Sequence, residues 1–203
     1  MNKRRFALLS VANKKGIETL ARGLVDLGYH ILSTGGTADA ISNAGLPVTR
    51  MVDYIGETEI MEGRMKTLHP KIHAGILAED IDGHFAELER MHAEPINLVV
   101  VNLYPFEYVA ADPSLTLDDA VDMIDIGGAS LLRSAARNFR RVTVVCEPDD
   151  YETILWHLAK SDRVTDKFRF ELAVKAYAHT AKYDAAVFTG LAEYNVETGK
   201  KAR

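Results

Sequence analysis

Five short segments carry residue types that could bind and activate a phosphorylated small molecule. In Asn13-Lys14-Lys15-Gly16 a lysine stands before a helix start, where it could hold an anion or simply sit in a solvated turn. Ser33-Thr34-Gly35-Gly36-Thr37 offers glycine N–H groups, hydroxyls and a helix N-terminus, a good phosphate cradle. The same letters also describe a Gly-rich turn with Thr37 as helix N-cap. They are not a Walker loop, because the Gly-Lys-Ser/Thr ending is missing. Gly63-Arg64-Met65-Lys66-Thr67-Leu68-His69-Pro70 places Arg64 and Lys66 on one side if extended, with Thr67 beside them. Two cations and a hydroxyl suit a phosphate or a developing oxyanion; a surface loop with scattered charges is the plainer alternative. Asn102-Leu103-Tyr104-Pro105-Phe106 puts an amide and a phenol on the same side of a strand end, where they could hydrogen-bond a base or carboxamide. Asp125-Ile126-Gly127-Gly128 supplies a carboxylate that could accept a proton, or could cap the helix that follows. Arg133 and Arg137 lie four apart on that helix and share a face. His69 and His73 are also four apart, but no third ligand accompanies them, so no metal is expected.

These segments need a scaffold, and the apolar pattern supplies one. Runs at 6–11, 29–33, 97–103 and 142–146 read as strands, with a short candidate at 48–52. The run at 97–103 is apolar throughout its centre and should be buried on both faces. Between the strands lie segments of helical period. Ile17, Leu20, Ala21 and Leu24 mark a helix over 17–27, and further helices are expected from near Thr37, over 83–93, 117–123 and 129–138, and after Asp149. Residues 53–80 show no clean period, as in a functional loop or a string of short helices. Phe168, Leu172, Ala176, His179 and Tyr183 recur at steps of four or three, so 165–194 reads as one long helix or a helical pair. The tail over 198–203 is expected to fray. Alternation of strand and helix predicts an α/β fold, an open parallel sheet in three layers, with a helical C-terminal appendage. The expected division is 1–160 for the sheet domain and 161–203 for the helical extension packed on it. Ligands of such sheets bind beyond the carboxyl ends of the strands, where the five segments fall.

Composition removes whole classes. The chain has 203 residues, 47% of them hydrophobic and 26% charged, which is ordinary globular composition rather than disorder. Its one cysteine, Cys146, cannot form an internal disulfide, which points to a reducing compartment. A net charge of −5 argues against non-specific nucleic-acid binding. No apolar run is long enough for a membrane span. The basic start followed by 6–12 faintly resembles a signal peptide, but Asn13-Lys14-Lys15 stands where a cleavage site should be, so the run reads as a buried strand.

Taken together, Lys14, 33–37, 63–70, 102–106 and 125–138 resemble the IMP cyclohydrolase domain of the bifunctional purine-biosynthesis proteins of the PurH family. Val142-Thr-Val-Val-Cys-Glu-Pro148 and Ala178-His-Thr-Ala-Lys-Tyr-Asp184 fit as well. The resemblance runs from about residue 5 to about residue 190 and implies a methylglyoxal-synthase-like fold. It implies dehydrative closure of 5-formamidoimidazole-4-carboxamide ribotide to IMP, a cyclic-amidine hydrolase run in the synthetic direction, with no metal or organic cofactor. Residue by residue, it implies that Asp125 orients or deprotonates the carboxamide while Lys66 and Tyr104 hold the formyl oxygen. Lys14, Thr34, Gly35, Gly36, Thr37 and Thr67 would hold the phosphate, Arg64 the ribotide, and Asn102 the carboxamide, with Asn13 beside Lys14 and Ile126 and Gly127 at the second helix start also among the substrate-binding residues. The family's lysine is Arg137 here; arginine stays protonated and cannot act as a base, so Arg137 is expected to orient Asp125 or stabilise charge, with slower turnover. The family's aspartate before Lys14 is Asn13, and its Gly-Phe-Pro-Glu is Gly56-Glu57-Thr58-Glu59. The implied partners are a purine ribotide and a second copy of the chain in a homodimer, in the cytoplasm, without nucleic acid or membrane. The chain stops before a formyltransferase domain, so that activity is not expected and a separate formyltransferase would supply the substrate. Two alternatives share the fold: a non-catalytic purine-nucleotide-binding module, and methylglyoxal synthase.

Overall fold

The apolar runs pair into one parallel sheet in the computed structural model, which describes residues 4–56, 65 and 67–201. The strands are β1 (Arg5–Val11), β2 (Tyr29–Ser33), β3 (Thr49–Arg50), β4 (Ile96–Asn102) and β5 (Thr143–Val145). Their order is β3-β2-β1-β4-β5, and every neighbouring pair is parallel. β1 and β4 hold the centre. Leu8, Leu9, Val99 and Val100 are buried on both faces, which is why these strands read as unbroken apolar runs.

α1 (Ile17–Asp26) turns Ile17, Leu20, Ala21 and Leu24 to the core, as its spacing predicts. It packs against α9 (Tyr151–Ser161), while α2 (Gly35–Asn43) lies against α1 and β1. α8 (Ile126–Arg137) lies on β4 and β5, between α4 (Pro70–Leu77) and α10 (Asp166–Leu191). The smaller helices are α3 (Met51–Ile55), α5 (Asp82–Arg90), α6 (Phe106–Ala111) and α7 (Leu117–Asp122). Local chemistry sets several starts. Pro70 opens α4 with His69 as its cap, and Thr116 with Asp119 forms a reciprocal capping box on α7.

The structure corrects the expected pattern in three places. The candidate strand at 48–52 keeps only Thr49–Arg50 and passes directly into α3. α6 was not legible, because six residues between a proline and an aspartate give less than two turns of period. The C-terminal tail is tied down rather than frayed over its described part. β6 (Tyr194–Asn195) and β7 (Lys200–Lys201) form an antiparallel ribbon, Gly199 accepts a hydrogen bond from Leu117 N at 3.0 Å, and Lys201 Nζ donates to Ala110 O. The long C-terminal period is a single helix. α10 sends Leu172, Ala173, Ala176 and Tyr183 into the same apolar core as β1 and β4. Among the described residues no helix is long and apolar enough to cross a membrane.

Candidate functional site

The carboxyl ends of all five strands lie at one edge, and β1 and β4 are where the chain's crossovers diverge to opposite sides. Four predicted segments meet there. Asn102, the last residue of β4, clamps the loop after β1. Its Oδ1 accepts from Asn13 N at 2.8 Å and its Nδ2 donates to Asn13 O at 3.2 Å. The side chain is 7% exposed, so the residue expected to read a ligand amide is instead committed to shaping the loop that carries Lys14. Asn13 adds a local turn, with its Oδ1 accepting from Lys15 N at 3.0 Å.

Thr37 is corrected in the same way. It is 3% exposed, and its hydroxyl accepts from Val11 N and donates to Val11 O, both at 3.0 Å. That docks α2 on the end of β1 and leaves no hydroxyl for a ligand. Thr34 occupies the N-cap position, but its Oγ1 is shared with Ser10 Oγ at 2.8 Å and makes no cap bond. The start of α2 therefore presents the N–H groups of Gly35 and Gly36 outward. Gly35 adopts φ 43°, a left-handed turn that glycine tolerates best. Lys14 folds over this start: a Cβ on Gly36 would lie 3.7 Å from Lys14 Nζ. Among the described residues its ammonium donates only to Val11 O, at 3.3 Å, and no carboxylate pairs with it. A cation at the positive end of a helix is unfavourable by about 0.3–1 kcal/mol. An anion placed between Lys14 and the Gly35 and Gly36 N–H groups reverses that sign.

The second helix start is that of α8, which packs on β4 and β5. Asp125 caps α8, its Oδ1 accepting from Gly128 N at 2.7 Å. One carboxylate oxygen is thus anchored, while Oδ2 makes no hydrogen bond among the described residues and lies over Gly128, where a Cβ would meet it at 2.4 Å. Gly127 and Gly128 are required by close approach. A Cβ on Gly127 would meet Thr67 Oγ1 at 2.3 Å, and one on Gly128 would meet Leu103 Cδ2 at 2.7 Å. Thr67 is thereby brought against the start of α8. Ile126 and Tyr104 flank the same place and are exposed, the Tyr104 ring by 55%, with Tyr108 at 6.1 Å between ring centroids. Arg64 and Lys66 lie outside the described residues.

The arginines go elsewhere. Arg133 forms an ion pair with Asp184 of α10. Arg137 ends α8, twelve residues after Asp125, so the helix holds the two about 18 Å apart. The expectation that Arg137 orients Asp125 is therefore not met within the chain. Arg137 sits at the opposite edge of the sheet, in a cavity lined with Glu79, Asp80, Asn138 and Arg141. There Arg141 donates to the carbonyls of Gly75 and Ala78 at 2.5 Å and of Ile76 at 2.9 Å, a cationic cap on the C-terminus of α4. His69 and His73 are also engaged. His69 Nδ1 accepts from Lys71 N at 3.1 Å, and His73 Nδ1 pairs with Ser134 Oγ at 3.0 Å. Burial holds the His73 imidazole below its ordinary pKa. Among the described residues no group of His, Cys, Asp and Glu converges as metal ligands.

A family model described as "MGS-like domain" matches residues 16–130, more than half of the chain. The chain belongs to the MGS-like domain family. A second model, "AICARFT/IMPCHase bienzyme", matches residues 135–202 of this MGS-like chain. It is 50% identical over 186 residues to the bifunctional purine biosynthesis protein PurH of Trichormus variabilis, covering 90% of this chain and 37% of that protein. To PurH of Halalkalibacterium halodurans it is 50% identical over 185 residues, covering 91% of this chain and 36% of that one. The chain thus spans little more than a third of the length of the curated relatives it matches. Among solved structures, ForH superposes with a TM-score of 0.85 at 33% identity, over 93% of this chain and 99% of ForH.

Two contributors to the MGS-like site were not singled out from sequence. His179 and Tyr183, one turn apart on α10, reach the site from the C-terminal helix. His179 Nε2 accepts from Leu103 N at 3.3 Å, and Tyr183 Oη accepts from Asp125 N at 2.7 Å. Both fall on the apolar period of that helix, so they read as core. Their signals are polar chemistry at positions the period sends inward and their place in the Ala178–Asp184 segment that fits the family resemblance.

Proposed function

We propose that this chain is an IMP cyclohydrolase, closing 5-formamidoimidazole-4-carboxamide ribotide to IMP with loss of water. The observation that carries the reading is the pair of helix starts across the β1–β4 edge, one offering bare N–H groups and Lys14, the other a carboxylate with one free oxygen. The first suits a phosphate and the second a weakly acidic N–H. In this reading the carboxamide nitrogen gives its proton to Asp125 Oδ2 as it attacks the formyl carbon. A C–N bond forms, and negative charge gathers on the former formyl oxygen. The N–H groups of Ile126 and Gly127 at the positive end of α8 lie beside that charge, together with Tyr104 and, from the family resemblance, Lys66. The proton returned to that oxygen makes a hydroxyl, which leaves as water as the C–O bond breaks, the formamido N–H gives up its proton to balance the departing hydroxide, and a C=N bond completes the ring. Because both reacting groups belong to one planar molecule, holding them in plane supplies much of the rate. Asn102 and Thr37 act through the backbone, fixing the Lys14 loop and α2.

The reading extends to a homodimer in the cytoplasm that needs no metal or organic cofactor and takes its substrate from a formyltransferase. The test is direct: purified chain is mixed with the formamido ribotide and purine formation is followed by ultraviolet absorbance. IMP formed by the native chain and not by Asp125→Ala supports the cyclohydrolase. A folded chain that binds IMP but forms none is a nucleotide-binding module instead, and release of methylglyoxal from dihydroxyacetone phosphate would indicate methylglyoxal synthase.

A further inference from the structure

α10 passes behind both loops that carry the reacting side chains and hydrogen-bonds the backbone of each. The bond from Leu103 N to His179 Nε2 fixes the residue before Tyr104. The bond from Asp125 N to Tyr183 Oη fixes the carboxylate's own residue. The two side chains are four residues apart, so one face of one helix sets the spacing between the two loops. The helix is anchored where it does this. Tyr183 is buried edge-on against Phe106, with centroids 6.4 Å apart at 80°, and Arg133 of α8 pairs with Asp184 next in sequence.

We infer that His179 and Tyr183 are positioning residues for ring closure, holding the Tyr104 and Asp125 loops in register from the C-terminal helix. The inference rests on the cyclohydrolase reading and deepens it. It has a chemical consequence, because the two acceptors differ. A phenol oxygen accepts a hydrogen bond at any pH below its own ionisation, and burial raises the Tyr183 pKa. An imidazole nitrogen accepts only while it is neutral. Burial lowers the His179 pKa from its ordinary 6.5; Glu147 after β5 pulls it back up and Lys182 on α10 pushes it down. Glu147 is itself paired with Lys175, which also holds Asp150. The neutral form therefore persists below pH 6.5, and the Leu103 anchor is lost as pH falls through the lowered value. Protonation turns Nε2 into a donor facing another donor.

The experiment measures kcat and KM for ring closure from about pH 5 to 8, with amide hydrogen exchange on the same proteins. His179→Leu and Tyr183→Phe are expected to lower kcat about tenfold with KM within about twofold, since the loops move while the phosphate cradle does not. His179→Gln places a carbonyl oxygen near the Nε2 position and should restore most of the rate while abolishing its decline on the acid side. Exchange should quicken at the Leu103 amide in His179→Leu and at the Asp125 amide in Tyr183→Phe. Unchanged kcat in both variants, an acid decline that survives in His179→Gln, or unchanged exchange at both amides would each overturn the inference. If the native chain forms no IMP, the cyclohydrolase reading fails separately, and exchange together with IMP affinity still decides whether α10 holds the two loops.

Discussion

Asp125 has two separable jobs, and substitution can pull them apart. Its Oδ1 caps α8 through Gly128 N at 2.7 Å, and its charge sits at the positive end of a helix of 12 residues. Its Oδ2 is the proposed proton acceptor. Asp125→Asn keeps an oxygen for the cap but removes the charge and the basicity. The lost charge–dipole attraction costs about 0.3–1 kcal/mol. Asp125→Ala removes the cap as well, which costs about 1 kcal/mol more. For a chain of this size each kcal/mol moves Tm by about 2–4 °C. The stability order is therefore native, then Asp125→Asn, then Asp125→Ala, with about 3–8 °C between the extremes. Activity should order differently. A general base contributes about 10²–10⁴-fold, so both variants should lose at least about 100-fold in IMP formation, with little to choose between them. Calorimetry and the absorbance assay on three proteins decide the matter. If Asp125→Asn kept more than a tenth of the native rate, the carboxylate would not be the base. If Asp125→Ala melted with the native protein, the hydrogen bond to Gly128 would carry no weight.

Three further outcomes follow from the same geometry. Lys14→Met should weaken IMP binding at least about tenfold by calorimetric titration, yet leave the ligand-free Tm unchanged or slightly raised, since it removes a cation from the positive end of α2; a lower Tm with unchanged affinity would contradict the cradle. Arg137→Lys should leave kcat and KM within about twofold, because α8 holds that position about 18 Å from Asp125; a gain in rate would restore the sequence-based expectation that this residue limits turnover. Cys146 is buried and its thiol is pushed up to about 12, by burial first and then by Glu147, so the native chain should not react with a thiol reagent at neutral pH until it is unfolded.

The chemistry-bearing letters were legible because each interrupts a pattern at a place the pattern defines. Lys14, the glycine pair at 35–36 and Asp125 stand where apolar runs end or helical periods begin, and in parallel α/β folds those places converge on one edge. The strands at 6–11 and 97–103 were legible for the same reason as their burial: covered on both faces, they are apolar through their centres. What the letters did not contain was direction. Thr37 and Asn102 are polar residues in site segments, and by type they suit a ligand. Their side chains turn instead to the backbone of Val11 and Asn13, because a buried loop must satisfy its own N–H and C=O groups before it can serve anything else. Arg137 shared a helix face with Arg133 in sequence, but helix rise carries it to the far edge of the sheet. His179 and Tyr183 looked like members of an apolar stripe. Only the packing of α10 against α8 and α6 shows that this stripe ends on two backbone N–H groups of the site. Sequence by itself determined the sheet, the edge and the reacting residue types, since these follow from periodicity and from where it stops. Tertiary structure alone decided which polar side chains face outward and which hold the frame, because that depends on backbone hydrogen bonds between segments as much as ninety residues apart.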